Sequence, residues 1–287
     1  MNQLNLFIEL SRLKRPIGYM LLFWPCAWGL TLAYDFSNSL DIYFFYLILF
    51  FLGSVLMRSA GCIINDILDR KFDKKISRTK NRPIASGKIS VSLGLFYATI
   101  LCLLAFLVLI NFNYFTIFLA LISMPLAFTY PLMKRFTYWP QLFLGVTFNY
   151  GLILGWTSIN NGINIIPLIF YFGAIFWTLG YDTVYGYQDI KDDEIIGLKS
   201  TSIKFKNNPY TFLYLCYSIF ILSLLIIGYQ MKLNNFYFIS LILVFFQMIY
   251  FQLNKLNVKV SSNCLKIFKS NNLLGLLVFL SLIMSKI

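Results

Sequence analysis

Nine long apolar runs follow one another along this chain, near residues 17–34, 42–64, 91–110, 113–130, 139–158, 164–185, 209–228, 235–253 and 266–285. Each approaches or meets the ~17–25 residues that a bilayer-crossing helix requires. Polar and charged residues gather in the connections between them. The pattern predicts an all-α fold, a polytopic membrane bundle of nine transmembrane helices around a central cavity, with residues 1–287 forming a single domain.

Composition fits that class. Hydrophobic residues are 59% of the 287, charged residues 12%, and the mean hydropathy is +0.73. A soluble domain of this length has too little interior to hide so much apolar surface. Charge placement then predicts orientation. The segments 1–16, 65–90, 131–138, 186–208 and 254–269 carry 21 of the 24 Lys and Arg residues. Basic connections stay on the cytoplasmic side, so the N-terminus and these five segments are expected there. Topology and anionic lipid account for the net charge of +13, and nucleic-acid binding is not expected. The N-terminus reads as neither a transit peptide nor a cleavable signal. A bacterial cell inner membrane is the expected location; protein partners are not legible.

Two residue types narrow the chemistry. Cys26, Cys62, Cys102, Cys216 and Cys264 have no metal or redox spacing. The chain has no histidine, which leaves carboxylates, Lys, Arg and Tyr for any acid–base work.

Eight of the eleven carboxylates fall into two groups at the ends of apolar runs. In the first, Asn65, Asp69 and Asp73 recur every four residues and form one ridge on a helix. Asp66 lies beside the ridge, and Arg58 projects from the same side two turns earlier. Like charges at that spacing weaken a helix, so the arrangement points to a bound cation. In the second group Asp182, Asp189 and Asp193 fall in one helical sector, with Tyr185 close by and Asp182 inside the apolar run. Two such ridges reaching one leaflet can share a volume. Oxygen-only ligands suit Mg²⁺, which keeps some waters and bridges phosphate oxygens, with Ca²⁺ as a weaker alternative. Donors suited to a diphosphate stand nearby: the loop Lys74–Pro83, which includes Arg78, Lys80 and Arg82, then Lys134-Arg135 and Lys199. Aromatics are 19% of the chain. Trp24, Trp28 and Trp139 are expected in interfacial belts, while Tyr130 and Tyr185 lie near the polar groups.

The run Asn65–Asp73 resembles the NDxxDxxxD signature of the UbiA-type prenyltransferases, and the likeness covers nearly the whole chain. Ser11–Gly18 with Trp24-Pro25 resembles the family's opening segment, and Arg78–Gly87 its first cytoplasmic loop. Thr129–Arg135 with Trp139-Pro140-Gln141 resembles the connection between the fourth and fifth helices. Asp182–Asp189, followed by Gly197–Thr201, resembles the second acidic signature, with Gly186 where Ala is expected. Together these segments resemble the branch that acts on 4-hydroxybenzoate.

The resemblance implies Mg²⁺-dependent transfer of a polyprenyl group from polyprenyl diphosphate to the carbon ortho to the phenol of 4-hydroxybenzoate, in ubiquinone biosynthesis. It implies Asp69, Asp73, Asp189 and Asp193 as the catalytic metal holders, with Asp66 and Asp182 completing the metal shell. Asn65, Lys80, Arg82, Lys134 and Lys199 are expected on the diphosphate. Arg58, Arg70, Arg135, Tyr130 and Tyr185 are expected around the aromatic acid, with Arg58 favoured for its carboxylate by depth. The cavity is expected to open toward lipid and toward cytosol. The rivals are a relative with a naphthoate or haem acceptor, or a cation-coupled transporter.

Overall fold

A computed structural model describes residues 2–76 and 79–286. Arg78, one of the expected loop donors, lies outside the described residues. Among them, all the regular secondary structure is helical, with no strand.

Nine long helices correspond to the nine apolar runs: α2 (Ile17–Ala33), α3 (Leu40–Asp73), α4 (Val91–Leu109), α5 (Tyr114–Thr129), α6 (Pro140–Thr157), α7 (Ile165–Gly186), α10 (Pro209–Gln230), α11 (Asn235–Phe246) and α12 (Ser261–Met284). Three short helices flank them: α1 (Gln3–Leu10), α8 (Ile190–Ile196) and α9 (Thr201–Lys204). Seven of the long segments are individually long and apolar enough to cross a bilayer. Helix α2 falls just short in length, and α6 carries Gln141, Thr147, Asn149 and Thr157 along its faces.

Several boundaries differ from the apolar runs, because helices continue where hydrophobicity stops. Helix α3 runs unbroken through Asn65 to Asp73, so the first acidic ridge is built on the transmembrane helix itself. Helix α5 carries Pro125 within it and tightens into a 3₁₀ turn over Tyr130–Arg135, with Pro131 in the first turn. Helix α11 widens into a π turn over Gln247–Leu253. The N-terminal segment is not loop throughout: α1 buries Leu6 and Leu10 against Ile63, Ile67, Ile84 and Ile89.

Lipid offers helices no hydrophobic reason to associate, so close packing and interhelical hydrogen bonds must hold them. Helices α2 and α6 meet along Gly29, Gly151 and Gly155, where a Cβ would fall on the facing backbone or on Cys26. Trp24 and Trp28 are core residues rather than interfacial anchors. Trp28 is 0% exposed, and its Nε1 donates to the Gly275 carbonyl at 3.0 Å. Trp24 donates to Asn272 Oδ1 at 2.9 Å. Polar pairs bind the second half: Trp177 Nε1 and Gln252 Nε2 both donate to Asn271 Oδ1, at 2.8 and 3.2 Å, and Tyr217 donates to Gln252 Oε1 at 2.9 Å. Each such bond contributes about 0.6–2 kcal/mol in a membrane bundle.

Candidate active site

Both acidic groups border one cavity of about 250 Å³ at the end of the bundle that carries the N-terminus. Asn65, Asp69 and Asp73 form one wall, along the α3 ridge. Asp182, Asp189 and Asp193 form the other.

The second wall is not one helical sector. Helix α7 stops at Gly186, a turn follows, and Asp189 sits at φ −111°, ψ 1° just before α8. A neighbouring segment explains the break. A Cβ at Gly186 would fall on Ser202 Oγ, which donates to the Thr183 carbonyl at 2.8 Å. Thr183 and Thr201 hydroxyls lie 2.6 Å apart, and the Thr201 amide donates to Gln141 Oε1 at 3.0 Å. The segment after α8 is thus clamped between α7 and α6. Its Lys199 amide donates to the Lys134 carbonyl at 2.9 Å, which brings two expected diphosphate donors side by side. The glycine found where alanine is expected is what admits Ser202.

Cations line the same cavity: Arg58, Arg82, Lys134 and Lys199. Lys134 Nζ is ion-paired with Asp69 Oδ2. Arg82 Nη1 reaches Asp73 Oδ2 at 2.9 Å and Asp66 Oδ1 at 3.1 Å. Lys199 Nζ donates to the Phe136 carbonyl at 3.2 Å. Arg58 lies 5.2 Å over the Phe148 ring, and its buried Nε makes no hydrogen bond. Its room comes from Gly18, where a Cβ would stand 2.8 Å from that nitrogen.

Four expected site residues lie off the cavity lining. Asp66, a quarter turn around α3 from the ridge, is 2% exposed and is paired with Arg12 Nη2 at 2.6 Å as well as with Arg82. Arg70 curls back to the Ile67 carbonyl at 3.0 Å. Arg135 donates to the Leu68 carbonyl at 2.8 Å, stands 3.5 Å from Asp69 Oδ1 and covers the Phe72 ring at 5.1 Å. Lys80 is exposed. Tyr130 and Tyr185 do border the cavity, and the Tyr185 ring packs at a tilt against Phe268 of α12, 4.7 Å between centroids. Phe268, Gly18 and Arg12 were not legible as site residues. Gly18 and Arg12 belong to the motif Ser11–Gly18 without a discernible role there, and Phe268 is one phenylalanine among thirty.

The donor set fits a hard divalent ion. Five carboxylates and the amides of Asn65 and Gln141 line the cavity, and Asp69 Oδ1 is buried without a hydrogen-bond donor among the described residues. Among the described residues no three acidic or thiol side chains form a ready-made metal nest. Such oxygen donors suit an ion that keeps waters or phosphate oxygens in its shell, as Mg²⁺ does.

A second cavity, about 220 Å³, lies deeper and is bounded by α2 to α6. Its lining is apolar apart from Arg58 and a few hydroxyls, and it ends among Phe50, Phe112 and Leu154. Arg58, Tyr130 and Phe148 belong to both cavities. A polar chamber for an anionic head thus adjoins a greasy one for a chain.

Fold and cavities together define a polytopic helical membrane protein with an acid-walled site at one end. The chain belongs to the UbiA prenyltransferase family, whose profile matches residues 22–282. It is 40% identical over 282 residues to the mitochondrial 4-hydroxybenzoate polyprenyltransferase of Rattus norvegicus, covering 98% of this chain and 75% of that protein. It is 38% identical over 281 residues to the 4-hydroxybenzoate octaprenyltransferase of Francisella tularensis subsp. novicida, covering 97% and 96%. Among solved structures, the apo UbiA homologue of Aeropyrum pernix K1 superposes with a TM-score of 0.77 at 19% identity, over 94% of this chain and 99% of that one. The Archaeoglobus fulgidus homologue bound to GPP and Mg²⁺ superposes at 0.73 and 19% identity, over 98% and 99%.

Proposed function

We propose that residues 1–287 act as one unit that transfers a polyprenyl group from its diphosphate to the carbon ortho to the phenol of 4-hydroxybenzoate, with Mg²⁺, in ubiquinone biosynthesis. The observation that carries this reading is the junction at Arg58, Tyr130 and Phe148, the three residues that line both the acid-walled cavity and the apolar one. The two relatives named above support the acceptor, and the fulgidus complex supports the ion. The basic connections favour a site on the cytoplasmic face of a bacterial inner membrane.

A divalent ion held by Asp69, Asp73, Asp189 and Asp193, with Asn65 and Asp182 beside them, would neutralise the diphosphate and make it a leaving group. Arg82, Lys134 and Lys199 hold the remaining phosphate oxygens. The apolar chamber takes the first isoprene units and keeps water from the reacting carbon. Tyr130, Phe148 and Tyr185 present ring faces where positive charge develops on that carbon. Arg58 receives the acceptor carboxylate: it borders both chambers, whereas Arg70 and Arg135 lie off the lining of either, each with a donor on a backbone carbonyl. The allylic C–O bond breaks, the ring C–C bond forms, and the ring proton passes to an oxygen of the released diphosphate or of the acidic wall.

The transporter reading lacks a path. Among the described residues no acidic side chain borders the deeper cavity, and the two acidic groups gather at one end. The test is a membrane assay with 4-hydroxybenzoate, prenyl diphosphates of graded length, and Mg²⁺ or a chelator. Prenylated acid should form only with the ion, and neither Asp69→Ala nor Asp189→Ala should support it. Turnover by either variant near the wild-type rate overturns the assignment.

A further inference from the structure

Asp66 and Arg12 stand outside the cavity, yet they touch the group that faces it. Asp66 Oδ1 accepts from Arg12 Nη2 at 2.6 Å and from Arg82 Nη1 at 3.1 Å, and that same Arg82 nitrogen reaches Asp73 Oδ2 at 2.9 Å. Arg82 therefore sits between a carboxylate that borders the cavity and one that does not. Asp66 and Asp73 are seven residues apart on the continuous helix α3, nearly two turns on one side, so a single guanidinium can bridge them. Arg12 is held in place with effort. Its φ of 57° is in the left-handed region that non-glycine residues avoid. The Arg15 amide closes a turn onto its carbonyl at 2.9 Å, and α1 anchors the segment through Leu6 and Leu10. Strain of that kind persists where surroundings enforce it, and it marks sites with a task.

We propose that Arg12 and Asp66 are positioning residues that set how much of Arg82 is available to the diphosphate; this rests on the reading above. Asp66, at 2% exposure, has little water to screen it and must be balanced by neighbours. With Arg12 in place its charge is shared between two guanidinium groups, and Arg82 leans toward Asp73 and the cavity. Without Arg12 the whole charge falls on Arg82, which is drawn off the phosphate position. Asp66 thus serves as an electrostatic tether rather than as an ion ligand, and Arg12 adjusts its grip.

The test compares wild type, Arg12→Met, Arg12→Lys and the double variant Arg12→Met/Asp66→Asn in detergent-purified protein with Mg²⁺. Inorganic pyrophosphate binding is read by calorimetry, and the KM of each substrate is read in the transfer assay. Arg12→Met should weaken pyrophosphate binding about tenfold and raise the donor KM alike, with the acceptor KM and kcat within about twofold. Arg12→Lys should recover most of the loss. Neutralising the tether in the double variant should release Arg82 and restore affinity to within about threefold of wild type, which a merely structural role for Arg12 does not provide. A double variant as weak as Arg12→Met or weaker, or an Arg12→Met variant that binds normally, overturns the proposal. If wild type binds pyrophosphate but transfers nothing to 4-hydroxybenzoate, the acceptor assignment fails while the binding comparison still decides this inference.

Discussion

Replacing Lys134 with Met should make the empty site bind a metal ion more tightly and a diphosphate more weakly. Lys134 Nζ is paired with Asp69, whose side chain is 1% exposed, so ammonium and metal compete for one carboxylate. Removing one partner of a buried ion pair costs about 3–5 kcal/mol. Arg135, 3.5 Å from the other Asp69 oxygen, and the partial exposure of Lys134 offset part of that. After that offset we take about 2 kcal/mol as the charge left unbalanced, below the range for a fully buried pair. An incoming cation relieves it, and at about 1.4 kcal/mol per decade this is about 30-fold tighter binding. Diphosphate loses a charge-assisted hydrogen bond of about 1.5–3 kcal/mol, or about 10- to 150-fold in affinity. Mn²⁺ binding followed by electron paramagnetic resonance without diphosphate, and pyrophosphate binding by calorimetry, read the two effects separately. Lys199→Met is the internal reference, because that ammonium rests on a carbonyl; its Mn²⁺ affinity should stay within about twofold of wild type. An unchanged or weaker Mn²⁺ affinity in Lys134→Met would refute the competition. Such competition gives the site a reason to accept ion and diphosphate together, since each releases the residue the other needs.

Two further outcomes follow from the geometry. Arg58→Ala should raise the KM for 4-hydroxybenzoate by about tenfold or more with the donor KM little changed; a change confined to the donor would assign Arg58 to the diphosphate instead. Gly155→Ala should lower the thermal midpoint in detergent, because its Cβ would fall on the Cys26 carbonyl and stand 2.6 Å from the Leu30 amide, an overpacking of at least about 1–3 kcal/mol. A wild-type midpoint would show that α2 and α6 separate freely.

The nine spans, the helical class and the two acidic groups were legible in the residues, because bilayer thickness fixes the length of apolar runs and ionisable groups at their ends are costly without purpose. Asn65, Asp69 and Asp73 were legible as a ridge because they share one unbroken helix, where spacing alone dictates the face. The same arithmetic misdescribed the second wall. Asp189 and Asp193 reach the cavity through a turn imposed by Ser202 against Gly186, a contact between segments distant in sequence. Trp24 and Trp28 read as belt residues from composition, but glycine-lined seams draw them into the core.

Most of the cations could not be sorted by sequence, since Arg70, Arg82 and Arg135 occur in equally basic segments. What separates them is where each lies: Arg82 borders the cavity and pairs with Asp73, whereas Arg70 and Arg135 lie off its lining, with donors on the Ile67 and Leu68 carbonyls. Asp66 differs from Asp69 by under a full helical turn, yet that rotation takes it from the cavity to Arg12. Local periodicity decides the face of a residue on its own helix; only the packing of other helices decides what that face meets.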